Sequence, residues 1–400
     1  MTDLLTKNSD EAVCYKRIIK TINGKLSGPV VVFFGGIHGN EMAGNIAINK
    51  VLNDLDEEKI NGTIYGISGN IKALKANKRF IENDLNRLWT KTQIKGLFQN
   101  PNLKNEEAEQ LEIYELLQNI IAFHQGPFYF IDFHTTSSKT IPFITINDAL
   151  INRKFSSFFP VPKVLGIEEY LSGPLLSYIN ELGYVSLGFE SGQHSDEASI
   201  AHSVAFIYLT LVYTLTLKVG EVKDFSKYVR QLETAARCNN TTYEVTYRHK
   251  IEDGEIFKMK PGFKSFELVD KHTEIATSNH KIIKLKNKET LFMPLYQKIG
   301  EDGYYLIKPI SPFILRCSAA LRKFKFDNLL VCLPGVSWFD KPNGVLIANT
   351  KITKVLAKQL FHLLGYRSRQ ISENQIKLTN RERVSKANMY KGLLWYKFRA

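Results

Sequence analysis

Residues 30–41 read Val-Val-Val-Phe-Phe-Gly-Gly-Ile-His-Gly-Asn-Glu. The apolar run predicts a buried strand over 30–34. Gly35-Gly36 permits a sharp turn, which at once presents His38 and Glu41, three residues apart. Imidazole and carboxylate delivered from a strand end suit zinc, whose catalytic sites keep three protein ligands and one open position. A third ligand must then come from elsewhere in the chain.

Phe128 to Thr136, Phe-Tyr-Phe-Ile-Asp-Phe-His-Thr-Thr, is a second apolar run that ends at His134. In an extended chain Asp132 shares a face with His134, where it can accept the free N–H of a ligating imidazole. Taken singly, a strand-end histidine is usually just a satisfied polar residue, and His-x-x-Glu recurs by chance. Two such histidines, one with a carboxylate at short spacing, point together to a metal site.

Strand and helix signals alternate up to about residue 220: a strand at 30–34, a helix over 41–55, a strand at 63–68, a helix over 106–123, and strands at 128–133 and 184–189. That alternation predicts an α/β layer fold with a mostly parallel sheet. Ligands of such sheets gather at the carboxyl ends of the strands, where both histidine segments sit. Past Gly220 a helix near 226–237 gives way to period-two segments cut by Gly254, Pro261-Gly262 and Gly300, the pattern of a small antiparallel β domain. The expected organisation is a catalytic domain at 1–224, a small β-rich domain at 225–311 and a basic C-terminal extension at 312–400. The extension should pack back on the body through an amphipathic helix near 353–364, with a tail past about 366 free to be flexible.

Composition narrows the function classes. With 400 residues, 44% hydrophobic and 23% charged, the chain suits a globular protein with room for more than one core. Cys14, Cys238, Cys317 and Cys332 are scattered without a CxxC pair. This argues against a disulfide framework and a thiolate metal site, and a reducing cytoplasm is expected. The opening residues Met1 to Asp10 have no apolar segment behind a basic end and do not read as a secretory signal. Residues 200–217 are long enough to raise a membrane span, but His202, Ser203 and several Thr and Tyr dilute them, and a buried core helix is expected.

The net charge of +13 is unevenly placed: residues 301–400 hold 18 Lys and Arg against 6 Asp and Glu, the first 300 hold 35 against 34. A basic tail with Arg367, Arg369, Arg381, Arg383, Lys386 and Lys391 is able to touch an anionic surface. No recognised binding module accompanies it, so no specific nucleic-acid partner is expected.

Between the histidine segments, residues 69–89 are rich in Asn, Lys and Arg and read by default as a solvated loop. Yet Arg79, Asn86 and Arg87 offer a cation for a developing oxyanion and a fork with a neighbouring amide for a carboxylate. Farther on, Tyr184 to Gly192 carries a strand into Glu190. That carboxylate either caps a turn or, beside a metal, takes a proton from an attacking water.

In order, Gly-Gly-Ile-His-Gly-Asn-Glu (35–41), Arg79 with Asp84-Leu85-Asn86-Arg87, Ile-Asp-Phe-His-Thr-Thr (131–136) and Gly-Phe-Glu-Ser-Gly (188–192) resemble the succinylglutamate desuccinylase/aspartoacylase family. The likeness spans about residues 30–195, and the small β domain that follows is also similar to the family plan. It implies the three-layer α/β/α fold of zinc carboxypeptidases, with a mostly parallel mixed sheet. It further implies one Zn2+ per chain on His38, Glu41 and His134, with Glu190 as general base and acid. Arg79 matches the arginine that polarises the scissile carbonyl, and Asn86 with Arg87 the pair that grips a substrate carboxylate. Tyr305, in Glu301-Asp302-Gly303-Tyr304-Tyr305, is matched to a family tyrosine reaching in from the β domain, against the plainer reading of a sheet-surface tyrosine pair.

One departure stands out. Aspartoacylases carry a substrate-binding Tyr and Arg shortly before the catalytic glutamate, whereas Ser172 to Leu187 contains Tyr178 and Tyr184 but no arginine. The second carboxylate of N-acetylaspartate thus has no evident partner. The activity implied is that of a zinc-dependent amidohydrolase, a deacylase acting on an N-acyl amino acid or similar small carboxylate, with homo-oligomerisation left open. The alternatives are a metallocarboxypeptidase acting on short or cell-wall peptides, and a non-enzymatic module binding through its tail. Retention of all three ligands and Glu190 speaks against the last.

Overall fold

A strand buried on both faces needs apolar residues at every position rather than alternate ones. Three segments are buried on both faces in the computed structural model, which describes residues 15–353 and 356–397; the opening residues, Cys14 among them, lie outside these. The chain begins with β1 (Ile18–Asn23) and β2 (Leu26–Gly35), followed by α1 (Ala43–Asp54), β3 (Asn61–Ser68) and α2 (Ile71–Ala76). Then come α3 (Lys91–Leu97), α4 (Asn105–Phe123), β4 (Phe128–Thr136), β5 (Phe143–Ile146), α5 (Leu150–Ser156), β6 (Lys163–Leu165), α6 (Leu175–Glu181), β7 (Val185–Gln193) and α7 (Ala198–Tyr213).

Side-chain parity sorts these elements into three layers. Val31 and Phe33 of β2, Tyr129, Ile131 and Phe133 of β4, and Val185, Leu187 and Phe189 of β7 all enter one core, shared with Ile48 and Leu52 of α1 and Phe206 and Leu209 of α7. Their neighbours in sequence, Val30, Val32, Phe34, Phe128 and Phe130, enter a second core with Ile113 and Leu117 of α4 and Ile179 of α6. The result is an α/β/α sandwich. β3, β2, β4 and β7 run parallel at its centre, with β1 and β5 antiparallel beside them.

The expected β domain shares this sheet. After α8 (Phe225–Ala235), β8 (Thr242–Lys250) pairs parallel with β6. The chain then forms β9 (Phe257–Met259), β10 (Glu267–Val269), β11 (Glu274–Ser278), β12 (Lys281–Lys284), β13 (Glu289–Phe292) and β14 (Asp302–Pro309). β14, β13 and β10 extend the sheet to eleven strands, and β9, β11 and β12 form a separate three-stranded one. No described helix is long and apolar enough to cross a membrane. α7, from the stretch that raised the question, buries Ala205, Phe206, Leu209 and Leu211 in the core.

The C-terminal extension differs from expectation. After α9 (Pro312–Lys323) come β15 (Val336–Asp340), β16 (Val345–Asn349), α10 (Leu356–Leu363), β17 (Tyr366–Ser372), β18 (Gln375–Asn380), α11 (Arg381–Val384) and α12 (Leu394–Lys397). β15 to β18 make their own four-stranded antiparallel sheet. The segment past Tyr366 is built into the body, not left loose, because two aromatics in its basic sequence reach the main core. Tyr390 donates its hydroxyl to Phe128 O at 2.6 Å, and Trp395 donates Nε1–H to the Tyr129 hydroxyl at 2.9 Å. Its cations are largely spent inside the chain: Arg381 on Glu168 and Glu169, Arg383 on Asp327, Arg367 on Glu168 O and Leu171 O, and Lys386 on the Tyr184 hydroxyl. Arg369 and Lys391, by contrast, are exposed.

Candidate functional site

The turn after β2 is fixed by backbone packing. Gly36 has φ +70°, a region that favours glycine. Gly39 lies so close to α2 that a Cβ there would sit 2.1 Å from the backbone carbon of Ala73. α2 itself is a helix where a loop was expected over 69–89. It forms because the Asn70 side chain caps its start by accepting from Ala73 N–H, and Asn77 closes it in the left-handed conformation. Behind it, the buried Glu106 of α4 accepts from the N–H groups of Ile81, Glu82 and Asn83 and from the Asn70 amide, stapling the loop that carries Arg79 and Asp84.

This scaffold brings His38 and Glu41 to His134 at the end of the neighbouring strand. One donor atom from each lies within 4.8 Å of the others, and all three residues are buried. Nδ1 of His38 is 2.9 Å from one Glu41 oxygen and Nδ1 of His134 is 2.8 Å from the other. The opposite ring nitrogens are each held by a carboxylate: His134 Nε2 by Asp132 at 2.8 Å and His38 Nε2 by Asp84 at 3.0 Å. A carboxylate on Nε2 favours a proton there and turns the Nδ1 lone pair inward. Two inward lone pairs facing one carboxylate repel unless a proton or a cation sits among them. His38 Nδ1 makes no hydrogen bond despite its proximity to Glu41. The donor set, two nitrogens and a carboxylate, fits zinc.

Burial would lower the pKa of His134, but Asp132 and Glu41 on either side hold it well above the ordinary range. Burial would likewise raise Glu41 and Asp84, yet the facing imidazoles, aided for Asp84 by Arg79, keep both well below theirs. Glu190 stands apart. It pairs with His134 in the register of β4 and β7, one Oε is buried without a hydrogen-bond partner among the described residues, and burial pushes it up to about 8 against the pull of His134.

These side chains open into a cavity of roughly 410 Å³. Arg79 lies beside the His38–Glu41–His134 cluster, its guanidinium 3.3 Å from Glu41 and 3.1 Å from Asp84. The Asn86 side-chain oxygen accepts from Leu175 N–H at 2.9 Å, tying its loop to the start of α6. Arg87 donates to Asn86 O at 3.0 Å and to Asp302 of β14 at 3.1 Å. Tyr305 also lines the cavity, whereas Tyr304, on the opposite face of β14, stacks on His249 in another core. Of the site residues expected from sequence, only Asp132 does not line the cavity, as befits a group behind His134.

Several cavity residues had no assigned role in the sequence. Asp84 lay inside the motif that carried Asn86 and Arg87, and its position one helical turn before Arg87 gave no hint of His38. His194 lies four residues after Glu190, 2.7 Å from the Thr135 hydroxyl and 3.3 Å from Gln297, with its pKa lowered by burial. Asp302 and Glu168 come from segments remote in sequence, and no local pattern marks them.

Comparison with known proteins follows the same lines. Residues 27–193 match the succinylglutamate desuccinylase/aspartoacylase catalytic domain. A probable aspartoacylase of Acaryochloris marina is 30% identical over 130 residues, a stretch that is 32% of this chain and 42% of that protein. The chain thus spans less than half the length of this relative. Among solved structures, a succinylglutamate desuccinylase/aspartoacylase from Rhodobacter sphaeroides has TM-score 0.54 at 16% identity, covering 73% of this chain and 88% of the other. An aspartoacylase family protein from Mesorhizobium loti has TM-score 0.52 at 18% identity, with the same coverages. At these identities the structures establish the likeness of fold.

Proposed function

We propose that this chain, whose residues 27–193 match the succinylglutamate desuccinylase/aspartoacylase catalytic domain, belongs to that family and is a zinc-dependent amidohydrolase which removes an acyl group from an N-acyl amino acid or similar small carboxylate. One observation carries the reading: His38, Glu41 and His134 converge within 4.8 Å, and Glu190 is paired across the sheet with His134 at the wall of the same cavity. The chemistry is assigned to residues 1–224, with part of the cavity wall contributed from 225–311. The described cysteines are unpaired, in keeping with the proposed cytoplasmic location.

Zinc held by His38, Glu41 and His134 would supply Lewis acidity, for ionising water near neutral pH and polarising a carbonyl. Glu190 takes one proton from the attacking water through its unpartnered oxygen. The water oxygen bonds to the amide carbon, the carbon–nitrogen bond breaks, and Glu190 returns the proton to the departing nitrogen. A carboxyl group raised toward neutrality suits both halves of that exchange. Arg79 is close enough to the ligand cluster to stabilise negative charge on the former carbonyl oxygen. Arg87 uses one N–H of each terminal nitrogen on Asn86 O and Asp302, which leaves one on each for a substrate carboxylate beside the Asn86 amide.

Replacing Glu190 by Gln tests the assignment. The variant should bind about one equivalent of zinc while its turnover on an N-acyl amino acid panel falls by a factor of about 10² to 10⁴. Near-normal turnover in a metal-loaded variant would remove Glu190 from the mechanism.

A further inference from the structure

The lining of the cavity includes a carboxylate that the proposed chemistry does not use. Glu168, in the short 3-10 turn Ile167–Glu169, is 1% exposed and lines the cavity. One of its oxygens accepts from Asp148 N–H at 3.2 Å and from Arg381 at 2.9 Å. The other, Oε2, is buried and has no hydrogen-bond partner among the described residues. A buried carboxylate oxygen left unpaired is costly, and native proteins keep such a group where something else completes it. The C-terminal extension keeps it in place: Arg381 holds the side chain, and Arg367 donates to Glu168 O at 2.8 Å.

The charge of the whole lining points the same way. Seven acidic side chains line the cavity against two arginines and no lysine, and both arginines are already paired, Arg79 with Glu41 and Asp84, Arg87 with Asp302. The seven carboxyl groups outnumber the four positive charges that the two arginines and a bound divalent cation would supply. Low-dielectric walls focus that field onto whatever enters and favour cations over anions. A second substrate carboxylate placed near Glu168 would face a carboxylate with no counter-ion to spare.

We propose that this cavity selects N-acylated diamino acids: one substrate carboxylate rests on Asn86 and Arg87, and a side-chain ammonium donates to Oε2 of Glu168. The proposal rests on the deacylase reading and narrows its substrate class. An ammonium supplies the donor that Oε2 lacks and offsets part of the excess charge, where a neutral side chain would do neither. Glu168 is then a specificity residue supplied by the catalytic domain and held by the C-terminal extension.

The test uses full-length zinc-loaded protein with Nα-acetylornithine and Nα-acetyllysine against N-acetylaspartate and N-acetylglutamate, alongside calorimetric binding of free ornithine and glutamate. The diamino substrates should win by at least about tenfold in kcat/KM. Glu168→Gln keeps an acceptor for Asp148 N–H and Arg381, and should cut that ratio by about tenfold to a hundredfold, mostly through KM. A wild-type preference for the dicarboxylates overturns the proposal and leaves the deacylase reading standing. Equal losses on all substrates in Glu168→Gln also overturn it, since a merely structural carboxylate would behave that way. If wild type cleaves none of the four, the deacylase reading falls, and calorimetry decides the rest: tighter ornithine binding that Glu168→Gln abolishes upholds the selectivity, and tighter glutamate binding ends it. Should Glu168→Gln fail to fold, the wild-type ratios decide.

Discussion

Asp84→Asn probes how far the metal-ligand geometry depends on the carboxylates behind it. Asp84 serves three donors: His38 Nε2 at 3.0 Å and Asn86 N–H at 2.9 Å on one oxygen, and Arg79 at 3.1 Å on the other. The imidazole and guanidinium keep its pKa well below the usual carboxylate range despite burial, so the substitution removes a full charge at any working pH. Asparagine has a single acceptor oxygen. Kept on His38 and Asn86, it turns an NH2 against the Arg79 guanidinium; kept on Arg79, it turns that NH2 onto His38. Either way His38 loses the anionic partner that orients its ring. Loss of such a partner costs about 10- to 100-fold in metal affinity, or about 1.4 to 2.8 kcal/mol. The missing charge-assisted bond to Arg79 lowers stability by about 1.5 to 3 kcal/mol besides. Competition for zinc against a chromogenic chelator, run on protein verified as folded, measures the first quantity. A zinc Kd within threefold of wild type would refute the claim that Asp84 orients His38.

Trp395→Ala should destabilise the protein by about 3 to 5 kcal/mol in denaturant titration, because the indole is 2% exposed within the main core; a loss under about 1 kcal/mol would show that the tail is accessory after all. Asp148 is buried, which alone would raise its pKa, but Arg153 and Arg322 hold it well below the ordinary value. Its contribution to stability is therefore complete above about pH 4 and is lost as pH falls toward the folded-state pKa. Asp148→Asn should cost about 3 kcal/mol at pH 7, and its deficit relative to wild type should shrink below pH 4; a deficit independent of pH would contradict the pairing. Gly39→Ala forces a Cβ against the Ala73 backbone and should lower both zinc occupancy and turnover, measured by metal analysis and a deacylation assay. Asp302→Asn frees Arg87 from its ion-pair partner in β14 and should lower KM for N-acetylglutamate by about threefold or more, checked by steady-state kinetics.

The parts of the molecule legible in sequence share a physical property: local pattern determined them. β2 and β4 are buried on both faces and read as nearly continuous apolar runs, while β7, equally buried, alternates Val185, Leu187 and Phe189 with small residues. Asp132 was found from the period of two along an extended strand. The turn at Gly35 and Gly36 announced itself because few other residues permit it. What escaped were links whose partners are distant in sequence. Asp302 lies 215 positions from Arg87, and Tyr390 262 from Phe128. In the C-terminal extension, abundant charge outweighed two aromatics in the sequence pattern, although those aromatics decide where the segment goes. α2 was hidden because six residues are too few to display an amphipathic period, and its cap, Asn70, resembles any loop asparagine.

The pairing of Trp395 with Tyr129 has a consequence for biosynthesis. These residues are 266 positions apart. At a translation rate of roughly 5–20 residues per second, the ribosome needs roughly 13 to 53 s to pass from one to the other. Throughout that interval the strand bearing His134 has emerged, or is emerging, while the aromatics that seal the core beside it have not yet been made. A nascent chain arrested before Tyr390 should therefore bind holdase chaperones at the exposed face around Tyr129 and Phe155, and the protein's yield in cells should depend on how promptly Tyr390 and Trp395 arrive.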